Sequence, residues 1–134
     1  MRTRLITLVS IVALTAFSAF SAAAPASLPT RSTSASAVTI AATPRALSGA
    51  TWEFELTFTT HSGSLIDDVE KESTLVTDTG QTFGAIKWLG DGAGGHPRKG
   101  VLQFKPILPQ PATIELRLAR QGEPQPRLFK WQLK

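Results

Sequence analysis

TWEFELTFTT, residues Thr51–Thr60, alternates strictly between apolar and polar side chains. Trp52, Phe54, Leu56 and Phe58 fall on one parity; Glu53, Glu55, Thr57 and Thr59 fall on the other. A helix would scatter the four apolar groups around its circumference, whereas a strand gathers them on one face. The charged and hydroxylated face is left for water. A strand buried on one side only belongs to an antiparallel sheet, not to the doubly covered sheet of an α/β fold.

The same short period recurs on either side. Upstream, Val38 and Ile40 alternate, and Thr43-Pro44 and Ser48-Gly49 punctuate the stretch leading to Thr51. Downstream, His61–Glu72 is a polar loop with a helical turn expected around Ile66–Glu70, and Leu75-Val76 starts a short strand. Asp78-Thr79-Gly80-Gln81 has the chemistry of a hairpin turn. Phe83–Leu89 reads as the return strand, with Ile86 and Trp88 on one face. Val101–Lys105 points Leu102 and Phe104 inward, and Pro106, Pro109 and Pro111 mark a connection outside any central sheet. Thr113–Ala119 alternates again through Ile114, Leu116 and Leu118; Gln121–Gln125 turns the chain; Phe129, Trp131 and Leu133 close the domain. The expectation is all-β: an Ig-like antiparallel β-sandwich of about seven strands over residues 37–134. A small closed β-barrel is the alternative.

Residues 1–26 are set apart from that fold. Arg2 and Arg4 precede the apolar run Leu5–Phe20, and Ser21-Ala22-Ala23-Ala24-Pro25-Ala26 offers small residues for cleavage after Ala23 or Ala26. That is the three-part pattern of a secretory signal peptide, and the apolar run is short for a spanning helix of roughly 20 residues. The expected product is exported, periplasmic or extracellular, with no membrane span after cleavage. Ser27–Ser36 is small, polar and aperiodic, and reads as a flexible lead.

Charge and cysteine usage narrow the chemistry. Without Arg2 and Arg4, the 14 basic residues drop to twelve against 10 acids, so the net charge is about +2. That balance gives no support for a nucleic-acid partner. The absence of Cys excludes disulfides, thiolate metal sites and attachment of a lipid through cysteine.

If successive strands alternate in direction, loops 61–72 and 90–100 and turn 120–126 share one end of the sandwich. This end holds both histidines of the chain, His61 and His96, with Asp67, Asp68, Asp91 and Arg98. Loops at one end of a sandwich are the usual place for binding. Trp88, Asp91 and Arg98 are the candidate ligand-binding residues, for an unknown protein or small ligand.

Each motif there has a weaker side. Gly90-Asp91-Gly92-Ala93-Gly94-Gly95 fits G-x-G-x-x-G, but Pro97 and a strand come after it where a dinucleotide site needs a helix. Backbone amides beside Arg98 and Lys99 could cradle an anion; otherwise the glycines simply permit a tight, irregular turn. His61 and His96 are the candidate metal ligands, for copper or zinc, yet two imidazoles fall short of zinc's usual complement. Ser62, Ser64, His61 and Asp67 supply the residue types of a hydrolytic triad without its G-x-S-x-G elbow. No catalytic residue is assigned.

Thr60-His61-Ser62, Leu65 and Asp68, Trp88-x-Gly90, and Gly94-Gly95-His96-x-Arg98-x-Gly100-x-Leu102-x-Phe104 together resemble a group of uncharacterised exported bacterial domains. In that group the loop runs G-G-H-H-R-x-G downstream of a T-H-S segment. The resemblance covers about residues 50–106. It implies that His61 and loop 94–100 belong to one site, and it carries no activity. This chain has Pro97 where the group has a second His, which weakens a metal site here. The functional expectation is an exported, non-enzymatic binding or accessory domain; the alternative is a periplasmic protein binding copper or zinc through His61 and His96.

Overall fold

The alternation becomes two packed sheets. The computed structural model describes residues 27–134, so the signal peptide expected over residues 1–26 lies outside the described residues. In chain order the elements are β1 (Arg31–Ala35), β2 (Val38–Ala46), β3 (Trp52–Thr60), the helical turn α1 (Val69–Glu72), β4 (Ser73–Thr77) and β5 (Thr82–Gly84). They continue with β6 (Lys87–Gly90), β7 (Arg98–Phe104), β8 (Thr113–Leu118) and β9 (Arg127–Gln132). One sheet has the order β1-β2-β3-β7-β6 and the other β5-β4-β8-β9. Every hydrogen-bonded pair is antiparallel. With β1 set aside, the two orders are A-B-E-D and C′-C-F-G in immunoglobulin lettering. Neither sheet closes on itself, so the fold is an Ig-like sandwich and not a barrel.

The inward parity of β3 holds. Trp52, Phe54, Leu56 and Phe58 are at most 2 % exposed. Across the interface stand Leu75 of β4, Ile114, Leu116 and Leu118 of β8, and Phe129 and Trp131 of β9, all buried. Phe54 joins the layers: it meets Phe104 edge-on in its own sheet, with centroids 5.6 Å apart, and lies 5.5 Å from Trp131 in the other. Antibody domains tie their sheets at this level with a disulfide. Here aromatic and aliphatic burial takes its place, at roughly 1.5–3 kcal/mol for each large side chain.

Three local expectations change. Residues 27–36, read as a flexible lead, carry β1, which pairs with β2 from Arg31↔Ala42 to Ala35↔Val38. Before it, Leu28 packs on the core, and the Pro29 carbonyl accepts from Trp131 Nε1 at 2.7 Å. The strand has no apolar period because it is an edge strand whose residues are exposed or half-buried. Phe83–Leu89, read as one strand, divides: β5 pairs with β4 and β6 with β7 in the other sheet. The chain crosses at Ala85-Ile86, where the Ile86 amide donates to the Gln103 carbonyl at 2.8 Å. Ile86 is consequently 40 % exposed and does not share an inner face with Trp88. These two changes turn the expected count of about seven into nine strands. Finally, the helical turn starts at Val69, because the Asp68 carboxylate accepts from the Lys71 amide at 3.2 Å and so caps it.

Strand directions bring the loops together as parity requires. The pairs Phe58↔Arg98 and Ser73↔Leu118 place the end of β3, the start of β7, the start of β4 and the end of β8 at one end. Loops 61–68, 91–97 and 119–126 meet there. The β1–β2 turn at Ser36-Ala37 joins them, since Val38 pairs with Thr60.

Candidate functional site

Three arginines close the core at the loop end. Arg98 shares the parity of Gly100, Leu102 and Phe104 on β7; Arg120 lies two residues past Leu118 of β8; Arg127 shares that of Phe129 and Trp131 on β9. An arginine at an inward position cannot shed its charge, so its donors must find acceptors within reach. Arg98 is 4 % exposed and Arg127 5 %, and the Arg120 side chain 7 %.

Arg98 ties two loops together. Its Nε donates to the Asp91 carbonyl at 3.0 Å, and its Nη1 to the carbonyls of Leu65 at 3.2 Å and Asp67 at 2.7 Å. Its Cζ lies 5.9 Å from the Phe58 ring centroid and 5.7 Å from that of Trp88, within cation–π range. The Gly94 amide adds a bond to the same Leu65 carbonyl at 3.0 Å.

Trp88 accounts for two of the loop glycines. Its half-buried indole meets Phe58 edge-on at 6.3 Å, and its Nε1 donates to the Asp91 carbonyl at 3.1 Å. Gly90 and Gly100 are register partners beneath the ring. A Cβ at Gly90 would stand 2.9 Å from the indole, and one at Gly100 2.5 Å. Gly94, at φ +94°, occupies the left-handed region that a side chain rarely adopts. Asp91 closes the turn, its carboxylate accepting from the Lys99 amide at 2.9 Å and its own amide donating to the Lys99 carbonyl at 2.8 Å.

The other two arginines join an ion lattice. Arg120 holds Asp67 by paired bonds, donates from Nη1 to Glu123 Oε1 at 3.0 Å, and from Nη2 to the Ser64 carbonyl at 2.8 Å. Arg127 takes both oxygens of Glu123, each at 2.7 Å. Its two Nη atoms also donate to the carbonyls of Thr33, Ala35 and Val38 across the β1–β2 turn. Two carboxylates balance two guanidinium groups, which makes burial tolerable. The Arg127 hydrogen bond draws the Glu123 carboxyl below its ordinary range; burial opposes this, and the charges of Arg127 and Arg120 reinforce it. For Arg120, burial works to lower the pKa, but the bonds and charges of Asp67 and Glu123 outweigh it and the net shift is upward.

The expected ligand-binding residues therefore do meet, but around one another: Trp88 and Arg98 both donate to the Asp91 carbonyl. His61 and His96 are exposed at the same end. Among the described residues, no group of three or more His, Cys, Asp or Glu is placed to hold a metal ion. The acids offered as further ligands are engaged: Asp67 by Arg120, Asp68 by the Lys71 amide and Asp91 by the Lys99 amide. The hydrolytic set loses its acid for the same reason. No motif singles out Arg120, Glu123 or Arg127 in the sequence, although the two arginines continue the inward parity of β8 and β9.

Two surface depressions lie away from the loop end. One of about 520 Å³ is bordered by Leu28, Pro44, Leu47 and Leu133; the other, about 620 Å³, runs along Arg31, Leu128 and Lys130. Among the described residues, no helix is long and apolar enough to cross a membrane. No protein-family model, curated protein or solved structure matches the chain.

Proposed function

We propose that the chain is an exported, non-enzymatic Ig-like binding or accessory domain whose partner contacts the loop end. The observation that carries this reading is the lattice of buried arginines there, which holds loops 61–68, 91–97 and 119–126 and the β1–β2 turn in one arrangement. Loops fixed in advance lose less conformational freedom when a partner arrives. Loops B–C and F–G, at this same end, are among those with which antibody variable domains bind.

With five charged side chains turned inward, the outward residues include His61, Ser62, Ser64, Ile66, His96 and Pro97, beside Asp68 and Asp91. Within loops 61–68, 91–97 and 119–126 this rim carries the exposed acids Asp68 and Asp91 but no exposed Lys or Arg, and Ile66 stands 62 % exposed. Such a surface suits a protein partner better than a nucleic acid, whose phosphates call for outward Lys and Arg. Buried Arg98 and half-buried Trp88 support this surface from behind through the carbonyl of exposed Asp91. Ser62 and Ser64 lack a free acid, because Asp67 is committed to Arg120. That supports the non-enzymatic reading.

Photo-crosslinkable residues at Ile66, at His96 and, as a control at the opposite end, at the 83 % exposed Leu108 test the proposal in exporting cells. The expected result is a common adduct from the first two positions and none from the third. Ile66→Asp with His96→Ala removes the adduct without lowering the unfolding temperature. Equal labelling at both ends, or labelling only at Leu108, overturns the reading.

A further inference from the structure

The turn between β1 and β2 has two residues, and neither is glycine. Ser36 has φ 49° and Ala37 φ 62°. Both lie in the left-handed region that a two-residue hairpin turn demands and that Asn and Gly occupy with least strain. β1 itself supplies no side chain to the core; of Arg31–Ala35 only Thr33 is half-buried. Hydrogen bonds hold it: the ladder to β2, Arg31 Nε to the Lys130 carbonyl at 3.2 Å, and Arg127 to the carbonyls of Thr33 and Ala35. Every one of these bonds can be made by the same strand of a second copy.

We propose that β1 exchanges between two copies of this chain, with Ser36-Ala37 as the hinge. When the turn opens, both residues leave the left-handed region, and β1 runs on into β2 as one extended strand. Two such strands pair antiparallel about a two-fold axis through the hinge, so each β1 occupies the other's place beside β2. The ladder and the arginine bonds are kept. Only the turn is lost, and the turn is the strained part; short strained hinges invite this exchange. Arg127 then holds Val38 of its own copy while reaching Thr33 and Ala35 of the other. A second copy fits better than a foreign strand, because Arg31 and Thr33 Oγ1 match acceptor and donor atoms at Lys130 and Arg127. The arrangement closes as a dimer instead of propagating. It also brings both loop ends to the axis, since the hinge lies at that end.

A cysteine pair reports which chain supplies β1. The sequence has no Cys, and the Ser34 and Thr39 side-chain oxygens face each other across β1 and β2 at 2.8 Å. The full-length chain carrying Ser34→Cys and Thr39→Cys, purified as the host processes it, is concentrated, oxidised and run without reductant. The expected result is a covalent dimer whose fraction rises with concentration, alongside a dimer of the parent chain in light scattering. Ser36→Asn with Ala37→Gly removes the turn strain and lowers the association constant about tenfold or more. Ala37→Pro, which enforces negative φ, raises it by a similar factor. A disulfide confined to single chains at every concentration overturns the proposal, as does a dimer indifferent to the Asn-Gly pair. Should Ala37→Pro fail to fold, those two measurements still decide.

Discussion

Arg120 holds Asp67 by two parallel hydrogen bonds, Nε to Oδ1 at 2.9 Å and Nη2 to Oδ2 at 3.2 Å, with 7 % and 4 % of the side chains exposed. Removing one partner strands the other's charge away from water, which costs about 3–5 kcal/mol. Arg120→Met is expected to lower the unfolding free energy by about that amount. Arg120→Met together with Asp67→Leu is expected to regain most of it, because an apolar pair leaves no buried charge. Urea unfolding of the single and double variants checks this. A double variant as unstable as the sum of its singles would show that the two residues do not act as a unit.

The Glu123 carboxyl is held below its ordinary value, foremost by its hydrogen bond from Arg127. A carboxyl with a lowered folded pKa stabilises the fold fully above its unfolded value. That contribution is lost as pH falls through the folded one. Unfolding midpoints measured downward from pH 7 are therefore expected to decline below about pH 4.5. Glu123→Gln is expected to be less stable at neutral pH and to show a shallower decline. Parallel curves for the two proteins would show that Glu123 is not the group responsible.

Arg98 presents a test of shape apart from charge. Lysine keeps the charge but has a single donor group, which cannot reach the carbonyls of Asp91, Leu65 and Asp67 along diverging directions. Arg98→Lys is expected to lose about 2–3 kcal/mol, nearly as much as Arg98→Met, because buried carbonyls lose their donors in both. Amide hydrogen exchange supplies the local readout: exchange at Gly94, whose N–H bonds the Leu65 carbonyl, rises by more than the increase that β8 shows from the global loss of stability.

How much of this is legible in the chain alone depends on where apolar side chains sit. Trp52 to Phe58 announce β3 because a one-sided burial needs period 2, and the direction of each strand then places the loops. β1 gives no such sign, since an edge strand of Arg, Ser and Thr meets the core with neither face. Phe83–Leu89 looks continuous because its direction does not change when it passes from one sheet to the other. The arginines are the instructive case. Arg98 stands beside a Gly-rich loop and so reads as facing a ligand, whereas its parity with Leu102 and Phe104 points it inward. The same count places Arg120 beyond Leu118 and Arg127 before Phe129. Parity gives direction but not acceptors. Those come from Leu65, Asp67 and Glu123, which only the folded loops bring near.

Copper and zinc separate the alternative reading from the proposed one. His61 and His96 are exposed, and the neighbouring acids are engaged in capping and ion pairs. Two imidazoles with water make a weak site. Titration with Cu(II) or Zn(II), followed by tryptophan fluorescence, is expected to show no saturable change below roughly 10 μM. A tight, stoichiometric change abolished by His61→Ala with His96→Ala would establish the metal reading instead.

Gly100 and Trp88 offer the sharpest probe of the loop end. The indole lies over Gly100, where an added Cβ would stand 2.5 Å from the ring and 2.7 Å from Gly90 Cα. The backbone of Gly90 cannot yield, because it is paired to Gly100 in the β6–β7 ladder, so the ring must leave. Outward movement of Trp88 takes its edge from Phe58, its ring from Arg98 and its Nε1 from the Asp91 carbonyl. Gly100→Ala is therefore expected to cost about 2–4 kcal/mol and to shift tryptophan emission to the red. Trp88→Ala alone is expected to leave a cavity beside Phe58 and cost about 3–5 kcal/mol. Adding Gly100→Ala to it should cost less than Gly100→Ala does alone, since the methyl no longer meets the ring and only its contact with Gly90 Cα remains. Emission unchanged in Gly100→Ala, or full additivity in the double variant, would mean that the indole does not depend on the glycine beneath it.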